Sequence, residues 1–192
     1  MSYNEIKKHI ERFKVKDDMD LVYLTICSLY FMNTLVPRND LNICKLVSNK
    51  KKAKDLNKDF NFIVLDASGT PVKMIWQRYK SDNTFGQQQF DITPFCRDVL
   101  KRYMTEFNRK NGDYLFVMRD GESPFKKDNF RDLIKEATKK ILGKAMSVNL
   151  IRTIQITNYF DGKAKSIEED EADARRYLHS LNIHKEYFRL DL

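Results

Sequence analysis

Residues 61–92 read "NFIVLDASGTPVKMIWQRYKSDNTFGQQQFDI". The runs "NFIVLD" and "VKMIWQRYK" are rich in β-branched and aromatic residues, and "ASGT" between them predicts a β-hairpin turning at Ser68 and Gly69. The loop "SDNTFG" leads to a third short run, "QQFDI", so the pattern predicts a small three-stranded antiparallel sheet. Alternation along the second run places Val72, Met74, Trp76, Arg78 and Lys80 on one face, with Lys80 ending the strand on the side of a buried Trp.

On either side of this sheet the periodicity is helical, which makes the fold class α+β and mainly helical. Residues 3–15 read as a short basic helix, and "DMDLVYLTICSLYFMNTLV" (18–36) as a longer one that is apolar nearly all round, the mark of a helix central to a core. Pro37 is expected to end it, and "PRNDLNICKLV" starts a new segment. In "TPFCRDVLKRYMTEFNRK", Thr93 stands as N-cap and Pro94 at the first helical position, ahead of Phe95, Val99, Tyr103 and Phe107 on one stripe. A turn and extended piece, "NGDYLFVM", precede three more helices over 127–142, 147–160 and 167–179, the last with Ser166 and Glu169 at capping-box spacing. Glu168 to Glu171 then lie in a first helical turn, where negative charge is favourable.

The 192 residues suffice for one domain with a real core, and the boundaries expected are a leading helix or linker at 1–17 and a single domain over 18–192. With 42% hydrophobic and 32% charged residues, 6 Gly and 4 Pro, the composition is that of a folded soluble chain. Lys and Arg outnumber Asp and Glu by 35 to 27, a formal charge of +8 that attracts polyanions. The N-terminal "MSYNEIKKHIERF" has no apolar core of a signal peptide, and no long apolar run occurs, so no membrane partner is expected and the cytosol or nucleus is the expected compartment. Cys27, Cys44 and Cys96 are widely spaced and read as reduced, mostly buried thiols, with no metal site implied.

Taken singly, the polar residues of interest have ordinary explanations. Arg38 suits a surface after a helix, Lys80 a solubilising strand end, Arg152 a partner for a nearby acid and His179 a helix-capping imidazole. Taken in order, Arg38, the hairpin's Lys80, the helical Arg152, His179 and then Tyr187 form a set spread from "VPRNDLNICKL" through "YKSDNTFGQQQFDI" and "SVNLIR" to "ARRYLHSLNIHKEY". That set resembles the catalytic domain of the tyrosine recombinases, the integrase-type DNA strand transferases, over nearly the whole chain from about residue 18. The short form, with "PRND" and "SVNLIR", looks closest to integrases of eukaryotic DNA viruses and related mobile elements.

The resemblance implies DNA strand cleavage and rejoining through a 3′-phosphotyrosyl intermediate, on double-stranded DNA, by subunits that self-associate into a synapse, with no cofactor and no metal. Tyr187 would be the nucleophile, Arg38 and Arg152 a clamp on the phosphate, His179 a hydrogen-bond donor or proton carrier, and Lys80 the acid for the departing 5′ oxygen, with Asp40 a supporting acid. These residue types suit that chemistry. Covalent attack splits one hard step into two. Arginine forks match a phosphate bidentately. A free phenol, with a pKa near 10, is ionised in only about one copy in a thousand at pH 7 and needs cationic help.

Three features depart from the family pattern. Asn149 stands three residues before Arg152, where the family has His; an amide can donate to a phosphate but cannot act as acid or base. Leu178 replaces the glycine before the family His, and only "FRLDL" follows Tyr187, where many members continue into a docking helix. Residues 1–17 are too few for the N-terminal domain that completes the family's clamp, so the expectation is weak DNA affinity for this chain alone, or a longer natural protein. "SNKKKAKDLNK", "FNRKNG" and "PFKKDNF" are phosphate-positioning candidates and equally suit solvated faces. Two other functions stay open: a type IB topoisomerase, and a DNA-binding module with weakened catalysis, which Asn149 favours.

Overall fold

The computed structural model describes residues 1–33 and 35–159 together with Glu169, Glu171, Ala174 and Tyr177. Helix α1 (Tyr3–Arg12) opens on a capping box in which Ser2 accepts from the Glu5 amide and the Glu5 carboxylate accepts from the Ser2 amide at 2.7 Å. Helix α2 (Asp18–Phe31) is capped by Asp17, whose side chain accepts from the Asp20 amide at 2.8 Å. Every residue of α2 from Leu24 to Phe31 is buried. Its buried Thr and Ser hydroxyls are satisfied within the helix, Thr25 donating to the Leu21 carbonyl at 2.7 Å and Ser28 to that of Thr25 at 2.9 Å.

The helix stops at Phe31, short of the Pro37 expected to end it. Tertiary partners take over its exposed end: the Thr93 hydroxyl donates to the Met32 carbonyl at 2.8 Å, and the Thr93 amide to Asn33 Oδ1 at 3.2 Å. Thr93 thus holds the N-cap position of α4 (Pro94–Glu106), as expected, while its hydroxyl is spent on α2.

After a 3₁₀ turn (Asn39–Ile43) comes a strand that the sequence did not reveal, β1 (Cys44–Ser48). It pairs in parallel with β2 (Asn61–Leu65), which pairs antiparallel with β3 (Pro71–Trp76), which pairs antiparallel with β4 (Gln88–Asp91). The sheet is therefore four-stranded and mixed, not three-stranded and antiparallel. Parallel pairing across the 49–60 crossover has no local signature, and "CKLVS" is too short to alternate clearly. The outer edge of β1 is covered: the Leu115 amide donates to Cys44 O at 2.7 Å and the Leu46 amide to Asp113 O at 2.9 Å.

The β2–β3 turn falls at Ser68 and Gly69 as expected, with Gly69 at φ +80 and Asp66 Oδ1 accepting from the amides of Ser68 at 2.8 Å and Thr70 at 2.9 Å. Two further expectations for β3 fail for backbone reasons. The ladder passes from Val64–Lys73 to Leu65–Pro71, so Val72 is bulged and joins Val47, Phe62, Val64 and Ile75 on the face opposite Met74 and Trp76. The strand ends at Trp76 because β2 begins at Asn61, and Lys80 lies on the turn that follows, before the single-turn helix α3 (Asp82–Phe85).

The predicted helix over 127–142 is α5 (Lys127–Leu142), closed by Gly143 in the left-handed region at φ 74, and that over 147–160 is α6 (Val148–Tyr159). The helix predicted over 167–179, with its capping box, falls outside the described residues except at Glu169, Glu171, Ala174 and Tyr177. The main core lies between one face of the sheet and α1, α2, α4 and α5, and a smaller one fills the other face. Cys27, Cys44 and Cys96 are free and buried. Among the described residues no helix is long and apolar enough to cross a membrane, and no group of three His, Cys, Asp or Glu side chains is placed to hold a metal.

Enclosure of α2 sets a stability test. Leu29, with 0% exposure, is expected to cost about 2–5 kcal/mol of unfolding free energy as Leu29→Ala. Met19→Ala, at 46% exposure on the same helix, should stay within about 0.5 kcal/mol of wild type in urea denaturation.

Candidate active site

A cleft of about 630 Å³ opens where four segments meet: the 3₁₀ turn after Pro37, the turn after β3, the start of α5 and the start of α6. It brings together Arg38, Lys80 and Asn149 from the sequence-derived set. Arg78 and Lys127 join them, so four cations face two carboxylates, Asp40 and Asp82. Asp82 is partly engaged by Arg78, at 3.6 Å with the arginine largely exposed, a pair that contributes little.

Each wall is fixed by backbone chemistry. The residues before Arg38 run as a buried segment, so their carbonyls need donors. Arg152 Nη1 donates to the Val36 carbonyl at 2.7 Å, and the Tyr30 hydroxyl donates to that of Arg38. Burial and the nearby Asp40 charge push the Tyr30 phenol well up, which keeps it a donor. On the opposite wall, Tyr79 is buried and its hydroxyl donates to Gly86 O at 2.8 Å, leaving Lys80 exposed beside it.

Within the cleft, Arg38 Nε, Asn39 Oδ1 and Asp40 Oδ2 are buried without a hydrogen-bond partner among the described residues. An arginine N–H left so can take an acceptor from outside, and it shares this state with Arg97 Nε and Arg109 Nε, which do not line the cleft. Burial pushes the Asp40 carboxyl above the ordinary aspartate value; the charges of Lys127, Arg38 and Arg152 oppose that rise without cancelling it.

Arg152 does not line the cleft. Its side chain is fully buried, with Nη2 donating to the Tyr177 carbonyl and the guanidinium 5.6 Å from the Tyr177 ring centre. One helical turn earlier on α6, Asn149 reaches the cleft and is exposed. His179 and Tyr187 lie outside the described residues. Tyr177, two positions before His179, packs with Val36 and Ile156.

Sequence reasoning missed Lys127, which sits in the quoted basic stretch "PFKKDNF", and read Arg78 only as a strand-face residue. A helix start brought against a distant turn leaves no mark in local periodicity.

The fold is similar to that of a crystal structure of XerA recombinase, with a TM-score of 0.62 at 17% identity, over 97% of this chain and 57% of that one. The chain thus spans little more than half the length of that structure, and the likeness is one of fold. No protein-family model and no curated protein sequence matches the chain.

The raised Asp40 carboxyl has a defined consequence. Because its folded pKa lies above the unfolded value of 3.8, the folded state loses stability as pH rises from there through the folded value, and at neutral pH the buried charge is a net cost. Asp40→Asn is therefore expected to raise the thermal midpoint at pH 7, with the gain vanishing below about pH 4, as read by calorimetry across pH.

Proposed function

We propose that this chain binds double-stranded DNA in the basic cleft and cuts and rejoins a strand by transesterification, as a site-specific recombinase or integrase. In this reaction the Tyr187 oxygen attacks the phosphorus, the Tyr–O–P bond forms as the bond to the 5′ oxygen breaks, and the 3′-phosphotyrosyl linkage keeps the energy for rejoining. The tyrosine proton leaves through His179, and Lys80 gives a proton to the departing 5′ oxygen. Arg38 and Arg152 clamp the non-bridging oxygens, where negative charge builds, and Asn149 donates to one of them.

The observation that carries this reading is the convergence of Arg38, Lys80 and Asn149 on one cleft, with a buried Arg38 N–H left for an outside acceptor. These residues come from segments far apart in the chain, in the order that the resemblance requires. The recombinase-like fold supports it. Lys127 and Arg78 add cationic charge where a phosphate backbone would lie.

Two observations favour a second reading, a DNA-binding module with weak or no catalysis. Arg152 is held on two carbonyls away from the cleft, and Asn149 has no proton chemistry. For cleavage, Arg152 must exchange the Tyr177 carbonyl for a phosphate oxygen.

A nicked suicide duplex, from which the cleaved end diffuses away, separates the two. Wild-type protein is expected to form a denaturation-resistant adduct, and Tyr187→Phe none; an adduct that persists in Tyr187→Phe removes that residue as nucleophile, and none from wild type favours the binding module. Arg38→Ala should slow adduct formation by about 100- to 1000-fold while leaving the protein folded. Relaxation of supercoils without joining of two sites would assign the same chemistry to a topoisomerase. DNA affinity should fall steeply with salt, by about one decade per decade of salt for each phosphate neutralised.

A further inference from the structure

Asn61 opens β2 with 0% exposure, a buried amide that sequence reading passed over. Its Oδ1 accepts from the amides of Gln77 and Arg78, both at 2.9 Å. Its Nδ2 donates to the Arg78 carbonyl at 2.9 Å and to the Asp40 carbonyl at 3.3 Å. A carboxamide has two donor hydrogens and two acceptor lone pairs, and here all four are used. The reversed amide would aim its NH₂ at two N–H groups, so the network admits one orientation.

The bonds join the two walls of the cleft. Asp40 follows Arg38 on one wall; Arg78 precedes Lys80 on the other. Beyond Trp76 the chain of β3 has no strand partner, since β2 begins at Asn61. The Asn61 side chain stands in for the missing backbone and extends the ladder by two residues, to the base of the turn that carries Lys80. In the interior these bonds are strong and costly to leave unmade.

We propose that Asn61 is a positioning residue for the leaving-group step: it holds the Lys80 turn at a set distance from the Arg38 wall, so that the lysine proton and the arginine fork meet the same phosphate. This rests on the strand-cleavage reading of the cleft. A displacement of about 1 Å in such a constellation costs on the order of 100-fold in rate. Protonation of the 5′ oxygen by Lys80 is the step most exposed to it, because the lysine stands on a surface turn.

The test uses the full chain. Wild-type protein first selects a cleaved sequence from suicide duplexes with a randomised core. That sequence is then made with oxygen or with sulfur at the 5′ bridging position. A thiolate, with a pKa near that of cysteine at about 8.5, departs without a proton, so sulfur bypasses Lys80. Asn61→Ala and Asn61→Asp are each expected to slow cleavage of the oxygen duplex by about 10- to 100-fold. Both should recover most of that loss on the sulfur duplex, as is also expected of Lys80→Ala. Asn61→Asp keeps the two accepted bonds and, as the protonated acid that burial favours, one of the two donors, which gives a milder variant should Asn61→Ala unfold. Ile63→Val, a mild core truncation on the same strand, should show no difference between the duplexes. Equal losses on oxygen and sulfur, with wild type active, overturn the positioning role alone. No adduct from wild type on any duplex overturns the cleavage reading and this role with it. Amide exchange at Gln77 and Arg78, slow in wild type and faster in Asn61→Ala, reads the clamp without any reaction; unchanged exchange overturns it too.

Discussion

A helix without a polar face must be enclosed on every side, and α2 imposes that condition on the rest of this molecule. Its buried run from Leu24 to Phe31 shares one core with residues of one face of the sheet, and α2 packs on α5, α4, α1 and α6. Burying an apolar side chain contributes about 1.5–3 kcal/mol, so the alternatives that leave this helix exposed are heavily disfavoured. The enclosure also decides where the polar parts can go. Thr25 and Ser28 turn their hydroxyls back on the helix, and Tyr30 sends its hydroxyl out of the core to the backbone of Arg38.

The cleft follows from the same need to pair every buried polar group. The chain from Leu35 to Pro37 crosses the interior in irregular conformation, where a carbonyl without a donor is expensive. Tyr30, Arg152 and Asn61 supply donors to Arg38, Val36 and Asp40 in turn, from α2, α6 and β2. Rigid elements thereby fix an irregular segment, the arrangement that suits a site where charges must be held in place. Three of the buried atoms left unpartnered among the described residues, Arg38 Nε, Asn39 Oδ1 and Asp40 Oδ2, belong to residues that line the cleft. Asp40 tempers the cationic wall, and its raised pKa records the desolvation it carries for being there.

Local signals were legible wherever one element could be read alone. The span of α5, the Thr93 and Pro94 start of α4 and the turn at Ser68 and Gly69 are all written in capping, periodicity and turn chemistry. Errors arose where a distant group intervened. Thr93 takes the Met32 carbonyl where α2 stops short of Pro37, a bulge moves Val72 to the other face, and β1 pairs in parallel across a crossover. Of the site, Arg38, Lys80 and Asn149 were legible as members of an ordered set, whereas Lys127 and Asn61 were not. A lysine at a helix start and an asparagine at a strand start look ordinary until their neighbours are known.

By itself the sequence determined the helical periods, the hairpin, the basic character and an ordered set of residues suited to phosphate chemistry, because each depends on neighbours within a few positions or on composition. Only the tertiary structure decided which members meet, placing Arg38, Lys80 and Asn149 around one cleft and Arg152 inside the core on the carbonyls of Val36 and Tyr177. The reason is that a buried hydrogen bond is chosen by what remains unpaired once the chain is packed. No local pattern carries that information.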